Sequence, residues 1–302
     1  MPEPLFLELE QKFKELVTNN DLMISDICEL LFPNVSGHQN TKLGLLSMMT
    51  SQWDTPTERE RLHLLLHGKP GTGKSALMLP LEQIWGSKYI STNPSTASLK
   101  ADARRKDRGA QIFTKNDGNI VCIDDIELFT DMDSSLRDVM ERGFYSDTRG
   151  GVDLEHAARC RILAATNDIK KMPSPISSRF DLVFNFDFPT VNQSLDIVHQ
   201  MLHSNNDNID YLPMLQYYIS MAQSHTPSIL EKEKIEEQFK IHFKKYGQPN
   251  EEGEQKGKEG RWIATVIRIA KAQARIKLGD VGTAEITIAL DMKRNSDKIL
   301  RW

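Results

Sequence analysis

Apolar and polar positions along the chain fall into two regimes. At the start, Phe6, Leu9, Phe13 and Leu16 recur at helical spacing and predict an amphipathic helix over residues 1–21. A second apolar stretch, Asp26–Pro33, ends at its proline. Ser36 and Gln39 then carry the spacing of a capping box, and a helix rich in Leu and Met is expected behind them. From residue 62 the rhythm changes. Short apolar runs at 62–66, 119–124, 159–167 and 181–186 alternate with helical stretches. That alternation predicts an α/β fold with a mostly parallel sheet. Beyond Pro189 only helical periodicity remains, centred on 193–203, 210–222, 229–245, 261–277 and 283–294. These segments predict a helical lid. Residues 247–260 hold no apolar side chain and read as a mobile linker. The expected organisation is an N-terminal helix (1–21), an α/β core (22–190) and a lid (191–302).

Composition changes this reading little. The chain has 302 residues, 39% hydrophobic and 26% charged, as in ordinary globular proteins with a sizeable core. Its formal net charge of -4 gives no global basic signal, so any nucleic-acid site must be a local patch. Cys28, Cys122 and Cys160 are isolated, which favours a reducing compartment. No apolar run reaches the ~20 residues of a membrane span. The N-terminus lacks a basic leader region. A cytoplasmic protein is expected.

The candidate chemistry lies at the ends of the apolar runs. Gly68-Lys69-Pro70-Gly71-Thr72-Gly73-Lys74-Ser75 satisfies G-x-x-x-x-G-K-[ST] between a strand and a helix. Gly68, Pro70, Gly71, Thr72 and Gly73 would wrap backbone N–H groups around the phosphates of ATP at a helix N-terminus. Lys74 would reach the β- and γ-phosphates, and Ser75 would ligate Mg²⁺. About fifty residues on, Val121-Cys122-Ile123 ends in Asp124-Asp125. Asp124 would hold Mg²⁺ opposite Ser75, and Asp125 would polarise the attacking water. Asn167, at the end of ILAATN, would orient that water. Arg179, in Ser178-Arg179-Phe180-Asp181, suits an arginine finger directed at a neighbouring subunit's nucleotide.

In this order the pieces resemble the AAA+ domain of the minichromosome-maintenance (MCM) replicative helicases, from Val35-Ser36-Gly37-His38 to the last helices. Gly68–Ser75 resembles the family's Walker A, Val121–Glu127 its Walker B, and Leu163–Asn167 its sensor-1 strand. Ser178–Leu182 resembles the arginine-finger segment, and Arg261, ahead of Ile267-Arg268, the sensor-2 arginine. Met140-Glu141 falls where the family's helix ends before a hairpin. Residues 92–119, with Lys100, Arg104 and Arg105, resemble the helix-2 insert. Residues 144–157 resemble the pre-sensor-1 hairpin, with Arg149 in place of the tip lysine and Gly150-Gly151 at the turn. The resemblance implies an ATP-dependent helicase gripping single-stranded DNA in the channel of a hexameric ring, with a loading or initiator protein as a possible further partner. Two other readings share the nucleotide motifs: a protein remodeller of the chelatase/MoxR type, and an ATP-switched replication initiation factor without motor activity. Asp125 stands where the family has glutamate, and Lys69 where it usually has aspartate. The family's N-terminal OB-fold and zinc domain have no counterpart in this sequence. A minimal or truncated homologue, of prokaryotic or mobile-element origin, is expected.

Overall fold

The structure, a computed structural model, describes residues 15, 23–33, 35–52, 54–55, 58–91, 112–128, 133–149, 152–203, 212–246 and 258–300. In chain order the elements are α1 (Ile24–Leu31), α2 (Gln39–Thr50), β1 (Leu64–Gly68), α3 (Lys74–Trp85), β2 (Lys88–Ile90), β3 (Ile120–Ile123), α4 (Asp133–Arg142), β4 (Phe144–Arg149), β5 (Val152–Ala157), β6 (Arg161–Thr166), α5 (Ser174–Ser177), β7 (Leu182–Phe186), α6 (Val191–His203), α7 (Leu212–Ser224), α8 (Lys232–Tyr246), α9 (Lys258–Ile276) and α10 (Thr283–Leu300). Among the described residues, no helix is long and apolar enough to cross a membrane.

The chain forms two compact units. One holds residues 32–38 and 53–208 and is built on a five-stranded parallel sheet of order β2-β3-β6-β1-β7. The central strand β6 is buried at every position, as a strand covered on both faces must be. It pairs Leu163 with Leu64 on one side and with Cys122 on the other. A separate antiparallel hairpin, β4–β5, runs in register from Phe144↔Ala157 to Arg149↔Val152. Gly143, at φ +70°, turns the chain from the end of α4 into this hairpin.

The other unit is helical and contains residues 39–52 and 209–301 together with the chain up to Leu31. This division departs from the boundaries expected at 22 and 190. The reason lies in α2, where nine of twelve residues are buried. A helix buried on nearly all sides must be enclosed by other helices. Its few polar groups are bonded across that packing. Gln273 donates to Ser47 Oγ at 2.6 Å, and Gln223 donates to the Met49 carbonyl at 2.6 Å. The buried ammonium of Lys42 meets Glu29 at 2.6 Å. Gln39 donates to Glu29 at 2.5 Å rather than closing a capping box with Ser36, and α2 begins only at Gln39.

One further expectation is adjusted: α9 begins at Lys258, inside the segment expected as a linker at 247–260. The N-terminal helix (apart from Glu15), residues 247–257, the insert residues Lys100, Arg104 and Arg105, and the turn glycines Gly150 and Gly151 lie outside the described residues.

Candidate nucleotide site

Strands β1, β3 and β6 end side by side, and their C-terminal residues surround one cavity of about 440 Å³. In open α/β sheets this edge is where ligands bind. The lining runs from Pro70 to Ala76 and adds Asp124, Asp125 and Asn167. Three glycines shape the loop for two different reasons. Gly71 (φ +82°) and Gly73 (φ +93°) adopt left-handed backbone conformations that disfavour a side chain, although nothing crowds them. Gly68 is crowded, since a Cβ there would lie 2.3 Å from the Phe186 carbonyl oxygen of the neighbouring strand β7.

Lys74 is only 6% exposed. Its ammonium donates to the carbonyls of Gly68 (2.5 Å) and Lys69 (3.0 Å) and to Asn167 Oδ1 (3.0 Å). Burial pulls its proton affinity below that of a free lysine, and the carboxylates of Asp124, Asp125 and Glu127 oppose that pull. Lys69 contributes its backbone carbonyl, which accepts from Lys74 and from the Thr72 hydroxyl, and its side chain is exposed.

Asp124 follows β3. Its Oδ2 accepts from Ser75 Oγ at 2.9 Å and from the Tyr89 hydroxyl at 2.6 Å. Burial, and then the bond to Asp124, push the Tyr89 phenol up to about 12. Tyr89 was not singled out in the sequence. It sits on the three-residue strand β2, whose apolar pattern is too short to stand out. Asp125 has φ +47°, a conformation Asp tolerates better than longer side chains. The departure from the family's glutamate thus coincides with a backbone turn that suits the shorter acid. Asn167 donates from Nδ2 to Asp125 Oδ1 at 2.5 Å, which makes its amide a bridge between Lys74 and Asp125.

The residues present fit ATP with Mg²⁺. The loop offers glycine-shaped backbone and a cation. Ser75 and Asp124 offer hard oxygen ligands, already 2.9 Å apart. Among the described residues no three His, Cys, Asp or Glu side chains form a metal cage. Mg²⁺ needs no such cage, since it is held by one or two protein oxygens together with water and substrate phosphates.

The opposite edge of the sheet is different. Before β1, Arg61 is fully buried, pairs with Asp54 at 2.8 Å and donates to the carbonyls of Val139 and Cys160. Asp181 accepts from Arg59 at 2.6 Å and from the His63 backbone N–H at 2.8 Å. The Ile162 N–H donates to His63 Nδ1 at 3.0 Å, so Nε2 carries the proton and donates to the Met140 carbonyl at 2.9 Å. Arg179 lies at this edge too, bonded to Glu141 and to the Pro175 carbonyl. The structure therefore brings Lys74, Ser75, Asp124, Asp125 and Asn167 together and holds Arg179 apart from them. Arg261 is exposed on α9 in the helical unit. Arg149 is the last residue of β4.

Comparison with known proteins decides the family. The model of the MCM P-loop domain matches residues 9–204, well over half of the chain. The chain belongs to the MCM P-loop family. Among relatives of this MCM domain is an uncharacterized MCM-type protein of Methanocaldococcus jannaschii, 25% identical over 90% of this chain and 45% of its own length. The DNA replication licensing factor mcm7-B of Xenopus laevis is 26% identical over 91% of this chain and 43% of its own. The licensing factor MCM4 of Drosophila melanogaster is 26% identical over 74% of this chain and 29% of its own. The chain thus spans less than half the length of these MCM relatives.

Proposed function

We propose that this chain is an ATP-hydrolysing motor domain of the MCM type, acting in DNA replication and translocating on single-stranded DNA as a hexameric ring of identical subunits, as its family resemblance implies. The observation that carries the ATPase reading is the convergence of Lys74, Ser75, Asp124, Asp125 and Asn167 on one cavity at the strand ends. Lys74 would leave the Gly68 and Lys69 carbonyls to neutralise the transferred phosphate. Ser75 and Asp124 would hold Mg²⁺, which when bound offsets phosphate charge. Asp125 would accept the proton of the attacking water, and Asn167 would fix that water's position.

The ring reading rests on where Arg179 lies. It precedes β7, whereas the phosphate loop follows the neighbouring parallel strand β1. Five strand residues separate these edges by roughly 16 Å, at about 3.3 Å per residue. An arginine there does not face its own chain's phosphates, so a finger role requires a second subunit. Arg261 would serve as the sensor-2 arginine, as the family resemblance implies. The DNA reading rests on the β4–β5 hairpin. Its base joins the end of α4 to β6, whose far end carries Asn167. Arg149, with Lys100, Arg104 and Arg105 of the insert, would meet the DNA backbone.

The test is ATP turnover with and without single-stranded DNA, between about 50 and 200 mM salt, with particle size measured in ATP. Salt-sensitive stimulation in a ring-sized particle is expected, and Arg149→Ala should remove most of that stimulation. ATP turnover indifferent to DNA at every salt concentration would favour the remodeller. DNA binding without strand separation would favour the switched initiation factor.

A further inference from the structure

The chain turns sharply after β3. Asp125 is left-handed, the Leu128 N–H returns to the Asp125 carbonyl at 2.9 Å, and residues 126–128 form a single 3₁₀ turn. This turn carries Glu127 back against the end of β6. Strand β6 stops at Thr166, so the next N–H, that of Asn167, has no ladder partner. Glu127 Oε1 accepts it at 2.9 Å. The second oxygen, Oε2, is buried with no hydrogen-bond partner.

We propose that Glu127 is a positioning residue for hydrolysis: its carboxylate clamps the Asn167 backbone and so holds the Asn167 amide as the bridge between Lys74 and Asp125. The inference rests on the nucleotide-site reading above. Asn167 makes its two side-chain bonds in opposite senses, accepting from Lys74 at 3.0 Å and donating to Asp125 at 2.5 Å. Both bonds depend on where its backbone sits. The Glu127 bond is the contact that fixes the backbone one residue beyond the strand. A buried carboxylate oxygen without a donor is costly. The charge of Lys74 offsets part of that cost, since Glu127 is among the carboxylates that favour its ammonium form. When Lys74 turns to a phosphate, Asn167 loses one of its two side-chain partners. The clamp then keeps the amide against Asp125, so the effect falls on turnover and on discrimination of ATP from ADP, not on loop affinity.

Three variants separate positioning from charge. Glu127→Ala removes the acceptor, Glu127→Asp withdraws it by one methylene, and Glu127→Gln keeps an oxygen acceptor without charge. Each is compared with the parent for ATP turnover, for binding of ATP and ADP with Mg²⁺, for hydrogen exchange of the Asn167 amide, and for thermal midpoint. Glu127→Ala and Glu127→Asp should lose tenfold or more in kcat, on the order expected for one displaced catalytic group. Their ADP affinity should stay within about twofold, their preference for ATP should fall, and Asn167 should exchange at least about tenfold faster. Glu127→Gln should restore amide protection and most of kcat. Parental kcat in a folded Glu127→Ala protein overturns the proposal. So does a Glu127→Gln protein as impaired as Glu127→Ala, because charge rather than position would then be the operative property. A parent that neither binds nor hydrolyses ATP sinks the nucleotide reading instead, and Asn167 exchange in the three variants still decides the clamp.

Discussion

Where the strands of the sheet end, Lys74, Asp124, Asp125 and Asn167 surround an open cavity. Where they begin, Arg61, His63 and Asp181 are packed away from water, with Arg59 half-buried beside them. Cations, carboxylates and polar nitrogens occur at both edges. At the first edge a ligand can displace the bonds: Lys74 rests on carbonyls that need no cation, and Ser75 rests on a carboxylate suited to a metal. At the second edge the partners are backbone groups of His63, Val139, Met140, Cys160 and Ile162 and the carboxylates of Asp54 and Asp181, all internal to the fold. Exchangeability of partners, rather than residue type or burial, separates a reaction site from a structural joint.

The largest expected effect is on activity without stability. Lys74→Ala should reduce ATP turnover to background, while its unfolding midpoint in urea stays close to the parent's, because water can reach the carbonyls it leaves. A normal rate from this variant would erase the contrast at the cavity edge. Next comes stability. Asp181→Ala strips Arg59 and the His63 N–H of their acceptor in a buried setting, and about 3–5 kcal/mol of unfolding free energy should be lost. A loss below about 1 kcal/mol in a urea titration would mean that this joint is not what holds α4 to the sheet.

The smallest effect is a pH dependence, and it sharpens the comparison. His63 is buried, and burial first, then Arg59 and Arg61, hold its proton affinity well below the usual 6.5, against the opposing pull of Asp181 and the Met140 carbonyl. Below about 6.5 the unfolded chain takes up a proton that the folded chain refuses, so stability is full above that pH and falls as pH drops. The slope approaches about 1.4 kcal/mol per pH unit. His63→Gln should flatten the change in urea midpoint between pH 7.5 and 5.5, and an unchanged slope would assign the pH dependence to other groups.

The cavity edge was legible because its requirements are local. Left-handed glycines, a lysine and a strand-end aspartate have fixed spacings that survive in one dimension. The sheet was legible for the same reason, apart from β2, whose three residues carry too little pattern. The opposite edge was not. Glu58-Arg59-Glu60-Arg61 reads as a solvated charge run, and only the fold brings it to Asp54, Asp181 and the end of α4. Glu127 was hidden by its neighbours: Asp124 and Asp125 account for the motif, and the reach of Glu127 to Asn167 depends on a turn set by the left-handed Asp125. Residues 24–31 and 39–52 read in sequence as part of the α/β core, because periodicity shows that a helix has an apolar face but not which helices will cover it.

Strand β2 has one more consequence, for how copies of this chain can meet. It is a three-residue margin of the sheet, and Lys88 at its first position is exposed. So short a margin with an outward lysine is a poor template for another chain's backbone. Growth of the sheet across molecules, the route to fibrous aggregates, is blunted on that side. Any association at that margin is left to complementary side-chain surfaces rather than to backbone pairing.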